Sequence, residues 1–206
     1  MDYDADGDRN DEAILPLAGD RILREGSRAG VWDCAAGDRW GYALGYKQAA
    51  DAIVESVETA DNGFADLMVY PAAFLYRQYL ELALKEIDTL AAVYLGESEP
   101  PRRSHGLMPL LERLERAIKV SGSELSVEHR AASRVVGDWD SLDGGSTAFR
   151  YARHANGDVT IPDLPFVGLR TLAAVMGRLS GFLYGARTSL EESLNAKHEA
   201  MGEYDP

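Results

Sequence analysis

Three groups of polar side chains in this sequence could form a functional site. The densest basic and aromatic group is residues 149–154, which contain Arg150, Arg153 and His154. Histidine can move protons near neutral pH, and arginine can bind an oxyanion through paired hydrogen bonds. We therefore treat this segment as a candidate site.

The second group is Arg102, Arg103 and His105, placed directly before a leucine-rich segment with helical spacing. The start of a helix attracts anions, so this group is a candidate for binding a phosphate. The alternative is a solvated arginine pair followed by a histidine that only caps the helix. The third group is Arg77, Glu81 and Lys85, spaced by four residues. This stripe predicts either an internal ladder of ion pairs that fixes the helix or a ligand site.

The elements that must position these groups are helices. Apolar periodicity predicts helices over residues 39–58 and 65–95, a short helix after residue 107, another after a possible capping box at residues 121–124, and a long last helix. The fold class is therefore an all-α bundle of about five helices, in which residues 65–95 form the central one. The dipeptide Asn156-Gly157 predicts a short hairpin or irregular insertion before the last helix.

Three helix faces carry a regular pattern. Residues Gly37, Gly41, Gly45 and Ala49 align small side chains, which predicts close packing within the chain or against another subunit. In the fourth helix, Val127, Ala131, Val135 and Trp139 are expected to share a buried face. In the last helix, a seam with alternating spacing of three and four predicts either the bundle core or a dimer contact; its residues are Leu169, Leu172, Met176, Leu179, Leu183, Ala186 and Leu190.

The net charge of −13 is concentrated at the two ends of the 206-residue chain. Residues 1–12 carry −5 and residues 191–206 carry −4. We expect residues 1–30 to be an acidic mobile arm, residues 31–190 the helical domain and residues 191–206 an acidic tail. The part of the chain between these two ends is close to neutral, so its charge is compatible with a small, local RNA site.

Several functional classes are disfavoured by what the sequence lacks. It has no apolar stretch of membrane-spanning length, and its acidic start is unlike a secretory signal. The lone Cys34 forms no internal disulfide, so we expect a cytoplasmic protein. The four histidines lack metal-ligand spacing, and no phosphate-binding glycine loop or serine nucleophile motif occurs. We therefore expect no metal ion, no cofactor and no membrane partner.

The sequence resembles the bacterial HEPN-like helical proteins. The resemblance lies in Tyr70-Pro71, in residues 76–85 (YRQYLELALK), in His105-Gly106-Leu107, in Phe149-Arg150-Tyr151 and in Leu169-Arg170 with the last helix. It covers residues 40–190. It implies a helical bundle that often forms a homodimer and works in toxin–antitoxin or phage-defence systems.

The family contains metal-independent endoribonucleases and inactive modules that bind RNA, nucleotides or proteins. The active members use an arginine followed by a histidine, usually paired across a dimer. Here only three residues separate Arg150 from His154, fewer than in the family pattern, and Ala152 replaces its proline. We therefore expect a catalytically degenerate module that binds RNA, a nucleotide or a partner protein. The alternative is an endoribonuclease that uses Arg150 and His154 across a homodimer, and a third possibility is a scaffold or antitoxin-like partner.

Overall fold

The protein is described by a computed structural model over residues 38–59, 65–98, 105–154, 156–161 and 168–202. These residues all belong to the unit Ala35–Pro206. They contain the helices α1 (Arg39–Thr59), α2 (Ala65–Leu95), α3 (Met108–Val120), α4 (Val127–Asp143) and α5 (Leu169–Gly202). The predicted all-α bundle is therefore confirmed, whereas the predicted arm, residues 1–30, lies outside the described residues.

The central helix of the bundle is α2, which packs against α1, α3 and α5. Its apolar residues point to several sides, so burying them requires neighbours around most of its circumference. The fully buried residues of α2 include Tyr76, Tyr79, Leu80, Ala83, Leu84 and Ile87. Pro71 lies inside the helix without ending it.

Two glycines fix where α2 and α3 end. Gly96 has φ +68° and Gly122 has φ +79°, a conformation that glycine adopts without the clash a side chain would cause. After α2, the N–H groups of Gly96 and Glu97 donate to the carbonyl oxygens of Val93 and Ala92. This pattern satisfies the last carbonyls of the helix and turns the chain back toward the bundle.

The apolar seam of α5 packs into the core of the bundle. Met176, Leu179, Leu183 and Leu190 are buried, and Leu169, Leu172 and Ala186 pack against the same core. Of the two interpretations of the seam, the bundle core is therefore the one that the structure supports. The helix continues to Gly202, so residues 191–202, expected to begin an acidic tail, extend α5 instead.

Two of the aligned small residues of α1, Gly45 and Ala49, do not mediate packing within the described part of the chain. Gly45 and Ala49 are exposed, and a Cβ built on Gly45 would meet no atom within 4 Å. The core face of α1 consists of Trp40, Ala43, Ala50 and Val54. The prediction of an intramolecular contact is wrong for Gly45 and Ala49, Gly37 lies outside the described residues, and a subunit contact stays a prediction.

The start of α4 differs from the prediction, and its buried face agrees with the prediction only in part. The cap is Ser126, whose hydroxyl oxygen accepts from the N–H of His129, rather than a residue of the segment 121–124. Val127 is 65% exposed, and the buried positions are His129, Ala132, Val136, Trp139 and Asp143. Trp139 is buried as predicted and Val135 packs partly against the core, but His129 and Asp143 occupy core positions that an apolar pattern does not assign.

The segment between α4 and α5 contains the predicted hairpin in a minimal form. Arg153 and Val159 make an antiparallel bridge, and the N–H of His154 donates to the carbonyl oxygen of Asp158 over 2.8 Å. Phe149 packs its ring against Trp139 of α4, with ring centroids 5.8 Å apart. The segment is thereby attached to the bundle just after α4 ends.

Replacing Leu183 by alanine tests the packing of α5. The side chain has no exposed surface, so Leu183→Ala should lower the free energy of unfolding by about 2–5 kcal/mol. The matched control is Leu67→Ala, since Leu67 is 61% exposed on α2; it should change stability by less than about 0.5 kcal/mol. Equal effects of the two changes in urea denaturation would contradict the assignment of the seam to the core.

Candidate functional site

Four predicted site residues meet where α2 passes the start of α3. Arg77, Glu81 and Lys85 share one face of α2 because four residues are close to one helical turn. His105 lies just before α3, and its Nδ1 is 3.0 Å from Oε1 of Glu81. We call these four residues the His105 cluster. The sequence placed them in two separate groups, and the fold brings the groups together.

The Arg77 guanidinium is the most deeply buried part of the His105 cluster. Its side chain has no exposed surface. Nη1 donates to Oε2 of Glu81 over 3.2 Å, Nε to the carbonyl oxygen of Asp143 over 3.2 Å, and Nη2 to the carbonyl oxygen of His105 over 2.5 Å. Arg77 therefore ties together α2, the end of α4 and the residue that precedes α3.

The Glu81 carboxylate connects the buried Arg77 guanidinium to the more exposed side chains of Lys85 and His105. Its side chain is 5% exposed, and Oε1 accepts from Nζ of Lys85 over 2.5 Å as well as contacting His105. Burial acts to raise the pKa of Glu81, but hydrogen bonds and electrostatic attraction from Lys85 and His105 outweigh it, and the net pKa is lowered. Glu81 is therefore an anion at neutral pH and accepts hydrogen bonds only.

The orientation of the His105 ring follows from this anion. Because the Glu81 carboxylate cannot donate, Nδ1 of His105 must carry the hydrogen of the bond between them. In the neutral ring, Nε2 is then the acceptor on the opposite edge. The side chain of His105 is 53% exposed and that of Lys85 is 22% exposed, so both can meet a ligand from solution.

Two aspartates of α4 support the His105 cluster. Asp140 accepts from the backbone N–H groups of Leu107 and Met108 over 2.7 and 2.9 Å and so caps α3 from another helix. Oδ1 of Asp143 accepts from the N–H groups of Thr147 and Ala148, while its carbonyl oxygen accepts from Arg77. The anion site at the start of α3 is therefore already filled by Asp140, and a phosphate would have to bind at the side chains of Lys85 and His105.

Asp140 and Asp143 are the acidic residues of α4 that lie close to Arg150 and Arg153 in the sequence, and such a separation would allow ion pairs with them. Among the described residues, both carboxylates instead bind backbone N–H groups of their own surroundings. For Asp140 no local pattern predicts this, because the residues that it caps are 32 and 33 positions away, whereas the N–H groups bound by Asp143 are only four and five positions away.

The other predicted site residues that the structure describes make different contacts. Arg102 and Arg103 are outside the described residues. Nη1 of Arg153 donates to the carbonyl oxygen of Gly157 over 2.8 Å, which fastens the turn. Arg150 and His154 are exposed, and the guanidinium carbon of Arg150 lies 5.4 Å from the ring centroid of Tyr151. Their proposed catalytic role stays a prediction.

Comparison with known proteins adds no identification. No family model, curated protein or solved structure matches this chain. The HEPN-like resemblance therefore stays a prediction. Within the described part of the chain, no helix has the length and apolar character needed to cross a membrane, and no group of three potential ligand side chains could hold a metal ion.

The geometry of the His105 cluster allows two kinds of chemistry. The Lys85 ammonium has three donors and gives one to Glu81, so it can also bind an anionic oxygen. Nε2 of His105 can accept a hydrogen bond from a hydroxyl group, or take its proton, while Glu81 holds the ring from the other side. A ligand that carries a phosphate beside a hydroxyl group fits both.

The variant Glu81→Gln tests whether the buried ion pair holds the cluster. It leaves the Arg77 guanidinium buried without its counter-charge, which should lower the free energy of unfolding at pH 7 by about 3–5 kcal/mol. The pKa of Glu81 is lowered by folding, so its contribution is present above about pH 4.5 and is lost as the pH falls further. The difference between wild type and variant should therefore shrink in acid.

The matched control is Glu192→Gln on the exposed side of α5, which should leave stability within about 0.5 kcal/mol of wild type. Chemical denaturation measured from pH 7 down to acid distinguishes the two variants. If Glu81→Gln were as stable as wild type at pH 7, Glu81 would not be the partner that stabilises Arg77.

Proposed function

We propose that this chain is a HEPN-like module that binds single-stranded RNA at the His105 cluster without cleaving it. The observation that carries the proposal is the hydrogen bond from Nδ1 of His105 to the buried carboxylate of Glu81. It orients an exposed imidazole whose other nitrogen accepts hydrogen bonds, directly beside the Lys85 ammonium.

We propose RNA as the ligand because of the two side chains that the His105 cluster exposes, Lys85 and His105. Lys85 supplies charge for a phosphate, and Nε2 of His105 supplies an acceptor for the 2′-hydroxyl, the group by which a protein distinguishes RNA from DNA. Arg102 and Arg103 add two positive charges within three residues of His105 in the sequence. A single strand is the simplest ligand that presents both a phosphate and a 2′-hydroxyl group.

The residues that carry the HEPN-like resemblance also support the proposal. Arg77, Glu81 and Lys85 belong to the matching segment of α2, and His105 belongs to the matching segment before α3. Although these segments are separated in sequence, their side chains contact one another. A functional role explains why a half-exposed histidine is joined to a buried arginine–glutamate pair.

His105→Phe should weaken binding of short single-stranded RNA about tenfold, because it removes a hydrogen bond to a 2′-hydroxyl in a partly buried site. Binding of DNA of the same sequence should change little, so the preference for RNA should fall. Fluorescence anisotropy at low salt measures both affinities. The matched control is His198→Phe, the same substitution at an exposed position of α5, which should bind as wild type does.

Equal binding of RNA and DNA by the wild type, or unchanged RNA binding by His105→Phe, would contradict the proposal. The same RNA should also stay intact when incubated with the protein in EDTA. Cleavage by wild type that is lost in His154→Ala would instead establish the endoribonuclease, with Arg150 and His154 as its centre.

A further inference from the structure

A second candidate site is a groove between α4 and α5. It consists of two cavities of about 610 and 350 Å³, each within the range of small-molecule sites. Val135 and Asp138 of α4 and Val175 of α5 line both cavities, so the two cavities adjoin. We call them together the α4–α5 groove.

The walls of the α4–α5 groove are apolar and accessible to solvent. Half-buried apolar side chains line it from both helices: Ala131, Val135, Leu142, Leu172, Val175 and Phe182. The buried rings of Trp139 and Phe149 line the smaller cavity. A ligand with an apolar body would remove the accessible part of these walls from water, and the gain is roughly proportional to the area covered.

Two arginines line the larger cavity, one from each helix. Arg134 belongs to α4 and Arg178 to α5, and both residues are exposed. Neither side chain makes a hydrogen bond or an ion pair with the part of the chain that the structure describes. Arginine stays charged at neutral pH and can bind a carboxylate through two parallel hydrogen bonds. The larger cavity therefore offers two accessible cations beside an apolar surface.

Two carboxylates also line the larger cavity, and they restrict where an anion can lie. The Glu128 carboxylate accepts from its own backbone N–H and from the Ser126 hydroxyl, so its charge is already bonded at the start of α4. Asp138 is exposed where the two cavities adjoin, about one helical turn from Arg134, and no ion pair joins these two described residues. An anionic group is therefore expected between Arg134 and Arg178, on the side away from Asp138.

The shape of the α4–α5 groove favours an extended chain. The two helices contact each other, so the groove is a slot between their side chains. From Arg134 to Leu142, the residues of α4 span about 12 Å. An alkyl chain is thin enough to lie between such side chains, whereas a third helix is about 10–12 Å wide with its own side chains.

We propose that the α4–α5 groove binds an anionic amphiphile of the fatty-acid type. Its carboxylate lies between the guanidinium groups of Arg134 and Arg178, and its alkyl chain follows the apolar walls past Val135 and Val175 toward Trp139. The site does not depend on the proposed RNA function, because its lining residues and those of the His105 cluster are different.

A series of probes with one alkyl chain and different head groups tests the ligand class. Octanoate should bind saturably to the full-length protein below the concentration at which it forms micelles, and about tenfold more tightly than 1-octanol. Octylammonium should bind no more tightly than 1-octanol, because the two arginines repel it. Butanoate should bind much more weakly than octanoate, because its shorter chain buries less apolar surface.

Protein-observed NMR titration measures these affinities and reports where the probe lies. The indole N–H signal of Trp139 should shift with octanoate, because this ring lines the groove, whereas that of Trp40, which does not line it, should stay in place. Absence of saturable octanoate binding, or equal affinity for octanoate and 1-octanol, would overturn the proposal.

Exposed charges of the groove test the location of the carboxylate. Arg134→Gln and Arg178→Gln should each weaken octanoate binding about tenfold and leave 1-octanol binding unchanged, and Asp138→Asn should tighten octanoate binding because it removes a repelling charge. The matched control is Arg130→Gln, since Arg130 is exposed on α4 but does not line the groove. If both arginine variants bound octanoate as wild type does, the carboxylate would lie elsewhere and the proposed site would be wrong.

Discussion

A guanidinium without exposed surface must find acceptors inside the protein, and Arg77 finds them on three different segments. One N–H group binds the carboxylate of Glu81, one binds the backbone of α4 at Asp143, and one binds the backbone at His105. Removing any acceptor would leave part of a buried cation unpaired, which is expensive in a low-dielectric interior. The positions of α2, the end of α4 and the start of α3 are therefore mutually dependent.

This dependence explains how an exposed histidine acquires a fixed orientation. Arg77 holds both the carboxylate that binds the His105 ring and the carbonyl oxygen of His105 itself. Asp140 then fixes the chain two and three residues further on by accepting from the N–H groups of Leu107 and Met108. A side chain held at the ring and along its backbone loses little further freedom on binding, which is the advantage of a preorganised site. Lys85 shares the same carboxylate and is positioned with it.

The sequence predicts the parts of this arrangement that depend on local spacing. The bounds of α2, the stripe Arg77–Glu81–Lys85 and the apolar seam of α5 all follow from periodicity, because neighbours on a helix face are three or four residues apart. The contacts of Asp140, of the Asp143 carbonyl oxygen and of His129 do not follow, because each joins segments that are distant in sequence. His129 also takes a core position that an apolar pattern assigns to other residues, which is why the prediction for α4 is right for Trp139 but wrong for the exposed Val127. The convergence of His105 with the stripe on α2 is likewise a product of tertiary packing.

The most direct test of RNA binding at His105 is a ¹H–¹⁵N correlation spectrum of the histidine rings, recorded with and without single-stranded RNA. In the free protein, neutral His105 should carry its hydrogen on Nδ1 and buried His129 on Nε2, because Glu81 and Glu115 bind opposite ring nitrogens. Addition of RNA should shift the Nε2 signal of His105 and leave His129 unchanged, so His129 serves as an internal reference. A His105 ring protonated on Nε2 alone, or His105 signals that do not respond to bound RNA, would contradict the proposed site.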